Sequence, residues 1–347
     1  MDTIDTQTHT GQLAESTYSF GEFCQLTGVY TPAALESSED SVEDSVEDSG
    51  VDSVEDSESP CALFLTAGFL HHVGPTRLHV EMARALSLQG VAALRFDLSG
   101  VGDSETRSAG GYFTERSVAE IKQAMDTLES GKGHRKFVLF GLCSGADDAL
   151  ATALEDSRVV GLVMLNGYCY QAGWFKLFRL YRFYLPRLLK KEKLLNRFNA
   201  LRHRFSNKAV GATSASALTA EQQAAVDQLD DDYRYVPPRE QTEDQLVALC
   251  ESKLDLLCIY TGSEHDDYTY AGQFLAMFPA LRGDMHATGH YFARADHTLI
   301  LKEDRDQIID WVNDWFETSA FKRQRCSGLS DKNGGLSLST DDLLRGS

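Results

Sequence analysis

Residues 137–146 spell Phe-Val-Leu-Phe-Gly-Leu-Cys-Ser-Gly-Ala, an apolar, β-prone run that ends in Gly-x-Cys-x-Gly. A helix-friendly segment, Ala146 to Glu155, follows it directly. Gly141 and Gly145 permit a turn too sharp for side chains on either side of Cys143. The helix that begins there aims its N-terminus at Cys143, and its dipole favours a thiolate and any oxyanion nearby. The stretch predicts a strand, a tight turn bearing a nucleophile, and a helix.

Two other interpretations of this pentapeptide stay open. Cysteine is among the most buried residue types even where it has no chemical role, so Cys143 could be a packing residue. Ser144 is a rival nucleophile by chemistry, but it lies one position off the centre of the turn. We expect the backbone N–H of Ser144 to serve the oxyanion instead.

Short apolar strands alternate with amphipathic helices along much of the chain. The predicted strands are 62–69, 91–97, 137–142, 159–165 and 254–260, with a last candidate near Met285. The predicted helices are 77–89, 114–130 and 146–156. This alternation predicts an α/β fold, with a mostly parallel sheet and helices on both faces.

Two further motifs carry a family resemblance. Arg95-Phe96-Asp97-Leu98-Ser99-Gly100-Val101-Gly102-Asp103-Ser104 resembles the signature that follows the fourth strand of α/β-hydrolases. Residues 73–77 and 83–86 resemble the region after the third strand in bacterial serine-aminopeptidase-like hydrolases, and in hydrolases encoded with exosortase and exopolysaccharide systems. The resemblance covers about residues 19–318 and implies an α/β-hydrolase fold with a helical lid insertion, but not a substrate.

The resemblance implies a triad in the chain order nucleophile, acid, histidine. His297 lies between the last strand candidate and the terminal helix, where the histidine of the family lies. The acid belongs after the seventh strand, where Glu264 and Asp266 flank His265; Glu264 is slightly favoured. The oxyanion hole would pair the N–H of Ser144 with a backbone N–H after the third strand, which we assign to Phe69.

Composition and motifs limit the class of protein. The 347 residues can bury one large core plus an insertion. Nothing resembles a signal peptide or a spanning helix, and the seven cysteines show no paired spacing, so we expect a cytoplasmic protein with reduced thiols. Because no zinc spacing, phosphate loop or nucleic-acid motif is visible, we expect no metal, no cofactor and no nucleic-acid partner.

Charge is distributed unevenly along the chain. The net charge is −19, and residues 36–58 contain eleven acids and no base, which predicts a disordered, self-repelling insertion. Residues 174–208 contain eleven cations and only one acid, with apolar residues at helical spacing and a break near Pro186. This pattern predicts a basic, amphipathic helix pair that forms a lid. The lid either packs its apolar face on the core or meets an anionic lipid surface or an anionic substrate.

These segments give a predicted domain organisation and three functional classes. The segments are 1–35 (first strands), 36–59 (acidic insertion), 60–168 (core with the nucleophile), 169–252 (basic lid), 253–320 (core with acid and histidine) and 321–347 (disordered tail). The leading function is hydrolysis of a small-molecule ester or thioester through a Cys-His-acid triad and an acyl-enzyme. The alternatives are an acyltransferase with the same triad and a non-catalytic binding scaffold with this fold.

Overall fold

A computed structural model of the protein describes residues 15–21, 25–34, 59–106, 113–184, 235–263 and 266–321. Several predicted segments fall outside these ranges, so their predictions are untested. They are the acidic insertion apart from Ser59, residues 185–234 of the lid, Glu264, and residues 322–347.

Eight strands form one sheet in the described residues. They are β1 (Ser16–Phe20), β2 (Leu26–Thr31), β3 (Cys61–Leu65), β4 (Ala93–Phe96), β5 (Phe137–Leu142), β6 (Val159–Leu165), β7 (Asp255–Thr261) and β8 (Ala287–Phe292). Their order across the sheet is β1-β2-β4-β3-β5-β6-β7-β8. The pairs β1–β2 and β2–β4 are antiparallel and all the others are parallel. The predicted, mostly parallel sheet is therefore confirmed.

Both faces of this sheet are buried, which explains why its central strands are continuously apolar. Leu63 and Leu65 of β3 pack into one hydrophobic core, while Ala62 and Phe64 pack into a second. Because side chains alternate across a strand, the two cores lie on opposite faces of the sheet.

Helices cover both faces. They are α1 (Leu78–Leu88), α2 (Phe113–Lys132), α3 (Ser144–Glu155), α4 (Phe175–Arg179), α5 (Arg239–Glu251), α6 (Gln273–Met277) and α7 (Lys302–Thr318), and a π-helical turn, Leu180–Tyr184, continues α4. Buried residues of α2, α3 and α5 join the first core, and those of α1 and α7 join the second. The predicted helices on both faces are confirmed.

Two predicted boundaries differ from the structure. The strand predicted over 62–69 ends at Leu65, because the chain turns there, with the Leu70 N–H bonded to the Ala67 carbonyl at 3.0 Å. The helix predicted from Ala146 begins two residues earlier, at Ser144.

The topology places the candidate site residues at one edge of the sheet. The loops that follow parallel strands β3, β5, β6, β7 and β8 all leave from their carboxyl ends, which meet at this edge. In the ranges that the structure describes, no helix is both long and apolar enough to cross a bilayer.

Candidate active site

Cys143 lies at the turn between β5 and α3, in a backbone conformation that few residues other than glycine adopt. Its φ is 54° and its ψ is −120°. Such a conformation costs on the order of 1–3 kcal/mol and persists only where the surroundings impose it. Here the Cys143 N–H donates to the Leu165 carbonyl at 2.8 Å, and the Cys143 carbonyl accepts from the Ala146 N–H at 3.0 Å. The half-buried thiol is thus presented on a strained turn, as a nucleophile would be.

The two flanking glycines are required by close backbone contacts. A Cβ on Gly141 would lie 2.2 Å from the carbonyl oxygen of Gly145. A Cβ on Gly145 would lie 2.8 Å from the carbonyl oxygen of Thr66, beyond the end of β3. The pattern Gly-x-Cys-x-Gly therefore lets α3 start against β3 with no side chain in between.

The first turn of α3 supplies positive electrostatic potential to the thiol. The first N–H groups of a helix have no partner within the helix, and the aligned peptide dipoles favour an anion beside them. The Ser144 N–H is the first of these groups. It is well placed to stabilise negative charge at Cys143 or on a carbonyl oxygen under attack.

The side chain of Ser144 has a role that the sequence did not suggest. Its hydroxyl accepts a hydrogen bond from the Gly68 N–H at 2.8 Å and so ties the loop after β3 to the start of α3. Gly68 has a φ of 54°, and Phe69 follows it with a side chain that is 75% exposed. The loop therefore brings Phe69 beside the turn at residues 141–145, which we call the elbow. Phe69 was predicted to contribute to the oxyanion hole there, and that role remains a prediction.

His297 lies in the loop between β8 and α7 and is held by Asn166, which directly follows β6. The Asn166 Nδ2 is 3.1 Å from the His297 Nδ1. Asn166 is buried and has a φ of 52°. The sequence motifs indicate no role for this amide, since the family resemblance implies a carboxylate in the triad.

Hydrogen bonds to Thr261, the last residue of β7, determine which end of the Asn166 amide faces His297. The Asn166 Oδ1 accepts from the Thr261 N–H at 2.8 Å, and the Nδ2 lies 3.0 Å from the Thr261 Oγ1. Turning the amide over would place its NH₂ group against the Thr261 N–H, where two donors would face each other. The NH₂ group therefore points at the His297 Nδ1.

The two acids predicted for the triad are placed differently. Glu264 lies outside the described residues. The exposed Asp266 carboxylate forms an ion pair with Arg179 of α4 at 2.5 Å, and the Asp266 carbonyl accepts from Gln171. Asn166 is hydrogen bonded to the His297 Nδ1, and the assignment of the acid to Glu264 or Asp266 stays a prediction.

Two of the cations predicted for the basic lid are used within the protein. Arg179 pairs with Asp266, and Arg182 donates to the Ala293 carbonyl at 2.8 Å. These contacts hold the segment after β6 against the loops that follow β7 and β8. The Asp266 carboxylate offsets the charge of Arg179, and membrane association stays a prediction.

Comparisons with known proteins agree with this geometry. A model described as "Alpha/beta hydrolase family" matches residues 63–311, which span the elbow and His297. The search of curated proteins returned no match. The specific resemblance to bacterial serine-aminopeptidase-like and exosortase-associated hydrolases remains untested.

The chain is similar to several solved structures at low sequence identity. A putative hydrolase from Agrobacterium vitis S4 is 15% identical, with a TM-score of 0.45 over 87% of this chain and 98% of that one. Mouse alpha/beta hydrolase domain-containing protein 10 is 13% identical, with a TM-score of 0.45 over 88% and 98%. The esterase domain of a Rhodothermus marinus protein is 15% identical, with a TM-score of 0.44 over 88% and 97%. At these values the similarities carry no argument about substrate.

Proposed function

The chain belongs to the alpha/beta hydrolase family, and we propose that it cleaves a carboxylic ester or thioester with Cys143 as nucleophile and His297 as acid–base partner. The observation that carries this proposal is the strained conformation of Cys143 at the start of α3, which has no evident structural purpose. Backbone strain of this kind concentrates at functional sites. A cysteine kept only for packing would not need to occupy the turn.

The proposed reaction has two stages. The Cys143 sulfur attacks the acyl carbon and its proton goes to His297, which returns it to the departing alcohol or thiol. Water then attacks the acyl-enzyme, gives a proton to His297 and releases the acid while the thiol is restored. The N–H groups of Ser144 and Phe69 would stabilise the oxyanion in both stages.

Asn166 differs from the carboxylate of a triad in the groups that it offers to His297. A carboxylate would accept the Nδ1 proton of an imidazolium, whereas the Asn166 NH₂ group is a donor and its Oδ1 is occupied by the Thr261 N–H. Asn166 therefore does not take the part of a carboxylate that accepts a hydrogen bond from an Nδ1–H group.

Exposed apolar side chains near the site favour an apolar acyl group. Phe69 lies on the loop beside Ser144, and Trp174 and Tyr181 lie on the segment after β6, which contacts the loops after β7 and β8. They are 75%, 66% and 68% exposed, so none of them is a core residue in the described structure. Aromatic side chains predominate in the lining of sites that bind apolar ligands.

Activity-based labelling combined with substitution tests the proposal. The full chain is treated with a thiol-reactive acyl probe and mapped by mass spectrometry, and turnover is measured on esters and thioesters of increasing acyl length. We expect Cys143→Ala to lose both labelling and turnover, and His297→Ala to lose most turnover. Cys169→Ala is the matched control, because Cys169 is also a half-buried thiol close in sequence to the end of a central strand, and it should change neither.

The same experiment can contradict the proposal. If Cys143→Ala keeps full turnover and Ser144→Ala loses it, the nucleophile is the serine. If neither substitution affects turnover, the elbow is not the reactive site. Product analysis with added alcohol or thiol acceptors distinguishes hydrolysis from acyl transfer.

A further inference from the structure

Four side chains with metal-ligating atoms meet between the loops that follow β3 and β4. They are His71, His72, Asp97 and Asp103, and one ligating atom from each lies within 4.8 Å of all the others. The sequence did not predict this cluster, because two histidines and two aspartates from separate loops form no recognisable metal-binding spacing. None of the four belongs to the proposed reaction.

The distances within the cluster are close to those of a metal's coordination sphere. The His72 Nδ1 is 2.7 Å from the Asp97 Oδ2, and the His71 Nε2 is 3.1 Å from the Asp103 Oδ2 and 3.6 Å from the Asp97 Oδ2. Zinc binds imidazole nitrogen and carboxylate oxygen at about 2.0–2.2 Å, so tetrahedral ligands lie about 3.4 Å from one another. Small side-chain adjustments would bring the four atoms around one ion.

The backbone holds this arrangement in place. The fully buried Asp97 accepts hydrogen bonds from the His72 N–H at 2.6 Å and from the Asp103 N–H at 3.0 Å. A Cβ on Gly102 would lie 2.3 Å from the Asp97 Oδ2, so only glycine lets the loop pass this close to the carboxylate. Asp97 thus joins the loop of His71 and His72 to the loop of Asp103. The four ligands are therefore already ordered in the folded protein, and an ion that binds does not have to order them.

The charges at the cluster favour a cation. Asp97 is fully buried, and a buried carboxylate requires a positive partner or a dense set of donors. In the described part of the chain, Asp97 and Asp103 form ion pairs with His71 and His72 and with no lysine or arginine. Both carboxylates approach the His71 Nε2, so a cation between them would neutralise two negative charges at once.

The exposure of the ligands provides an entry path. The side chains of His71 and Asp103 are 40% and 62% exposed, whereas those of His72 and Asp97 are 6% and 0% exposed. An ion can therefore arrive from solvent through the outer pair and be held by the inner pair. Two imidazoles exclude calcium and magnesium as the preferred ions, since both select oxygen ligands.

We propose that His71, His72, Asp97 and Asp103 bind one divalent transition-metal ion of zinc-like preference. The ion clamps the loop after β3 to the loop after β4. Because Phe69 lies two residues before His71, the clamp also steadies the loop next to Cys143.

Metal titration of the full chain tests this site without reference to catalysis. Zinc affinity is measured by competition with a chromophoric chelator, and cobalt(II) is used as a visible-absorbing substitute. We expect one tight equivalent in the wild-type protein, cobalt absorption of a low-symmetry nitrogen–oxygen centre, and a rise of several degrees in Tm with zinc. His71→Ala and Asp103→Asn should each weaken zinc binding at least about 10–100-fold, which is the effect of disturbing even an outer partner of a ligand.

Two controls make the outcome decisive. Asp306→Asn removes a partly exposed carboxylate on α7 and should leave the affinity unchanged, as should Cys143→Ala. Weak binding by the acids of residues 36–58 would be common to every variant. The proposal is overturned if no saturable equivalent is found, if His71→Ala and Asp103→Asn bind zinc as the wild type does, or if only Cys143→Ala weakens binding. Circular dichroism of each variant shows that the fold is retained, and both test substitutions are at the exposed side of the cluster.

Discussion

Asp148, on the second turn of α3, makes the stability of the protein depend on pH in an unusual direction. Its side chain is buried, and desolvation raises the pKa of the carboxyl from 3.8 to about 7, with the neighbouring Asp147 adding to the effect and a hydrogen bond from Ser117 opposing it. Replacing it by Asp148→Asn removes the ionisable group and keeps the shape. We expect this substitution to stabilise the protein at alkaline pH.

The sign and size follow from proton linkage. Between pH 3.8 and about 7 the folded state holds the proton of Asp148 and the unfolded state does not, so the free energy of unfolding falls as the pH rises through this window. One pKa unit corresponds to 1.36 kcal/mol, which puts the full loss at about 4 kcal/mol. Above about pH 7 both states are ionised and the loss is complete. The advantage of Asp148→Asn should therefore be small near pH 4, about 2 kcal/mol at pH 5.5 and about 4 kcal/mol at pH 8.5.

Urea unfolding of the wild type and the variant at pH 5.5, 7.0 and 8.5 measures this difference. Asp310→Asn serves as the control, because Asp310 is a solvent-exposed carboxylate on α7, and its substitution should have a small and pH-independent effect. An advantage of Asp148→Asn that stays constant or shrinks as the pH rises would refute the reasoning. It would mean that the carboxylate is ionised in the folded protein throughout the range.

Two further predictions concern the candidate site. Asn166→Asp presents a hydrogen-bond acceptor to the His297 Nδ1 while keeping both contacts to β7. The rate of Cys143 alkylation should therefore rise at neutral pH, and its pH profile should shift to lower pH. An unchanged profile would show that Asn166 does not control the proton on His297. Gly145→Ala places a Cβ 2.8 Å from the carbonyl oxygen of Thr66. It should lower the free energy of unfolding by about 1–3 kcal/mol and abolish turnover. A melting temperature equal to that of the wild type would show that α3 moves away without cost.

The sequence predicted the sheet and the elbow because the signals for both are local. Short apolar runs mark the buried strands, and the helical period marks the covering helices. The glycines around Cys143 mark the turn because close backbone contacts exclude any other residue there. The chain order of the motifs then indicated where His297 would fall, between β8 and α7.

The residues that the sequence did not reveal act through contacts between distant segments. Asn166 and His297 are 131 positions apart in the sequence, and an uncharged amide is not a residue type that the predicted triad contains. The Ser144 hydroxyl binds the Gly68 N–H, a role that depends on how α3 meets the loop after β3. Side-chain position within the folded sheet decides both contacts, and no periodicity or spacing encodes it.

The position of Asp148 links the stability of α3 to the reactivity of Cys143. The N-terminus of α3 favours a thiolate at Cys143, which directly precedes the helix. Asp148 lies five residues after Cys143, which is about 7.5 Å along the helix axis. Its ionisation above about pH 7 adds a negative charge that opposes the thiolate. Keeping Asp148 neutral therefore serves the fold and the nucleophile together. Substitutions that stabilise a protein near its reactive centre commonly reduce activity, but Asp148→Asn should favour both, because a single buried charge opposes the folded state and the reactive anion alike.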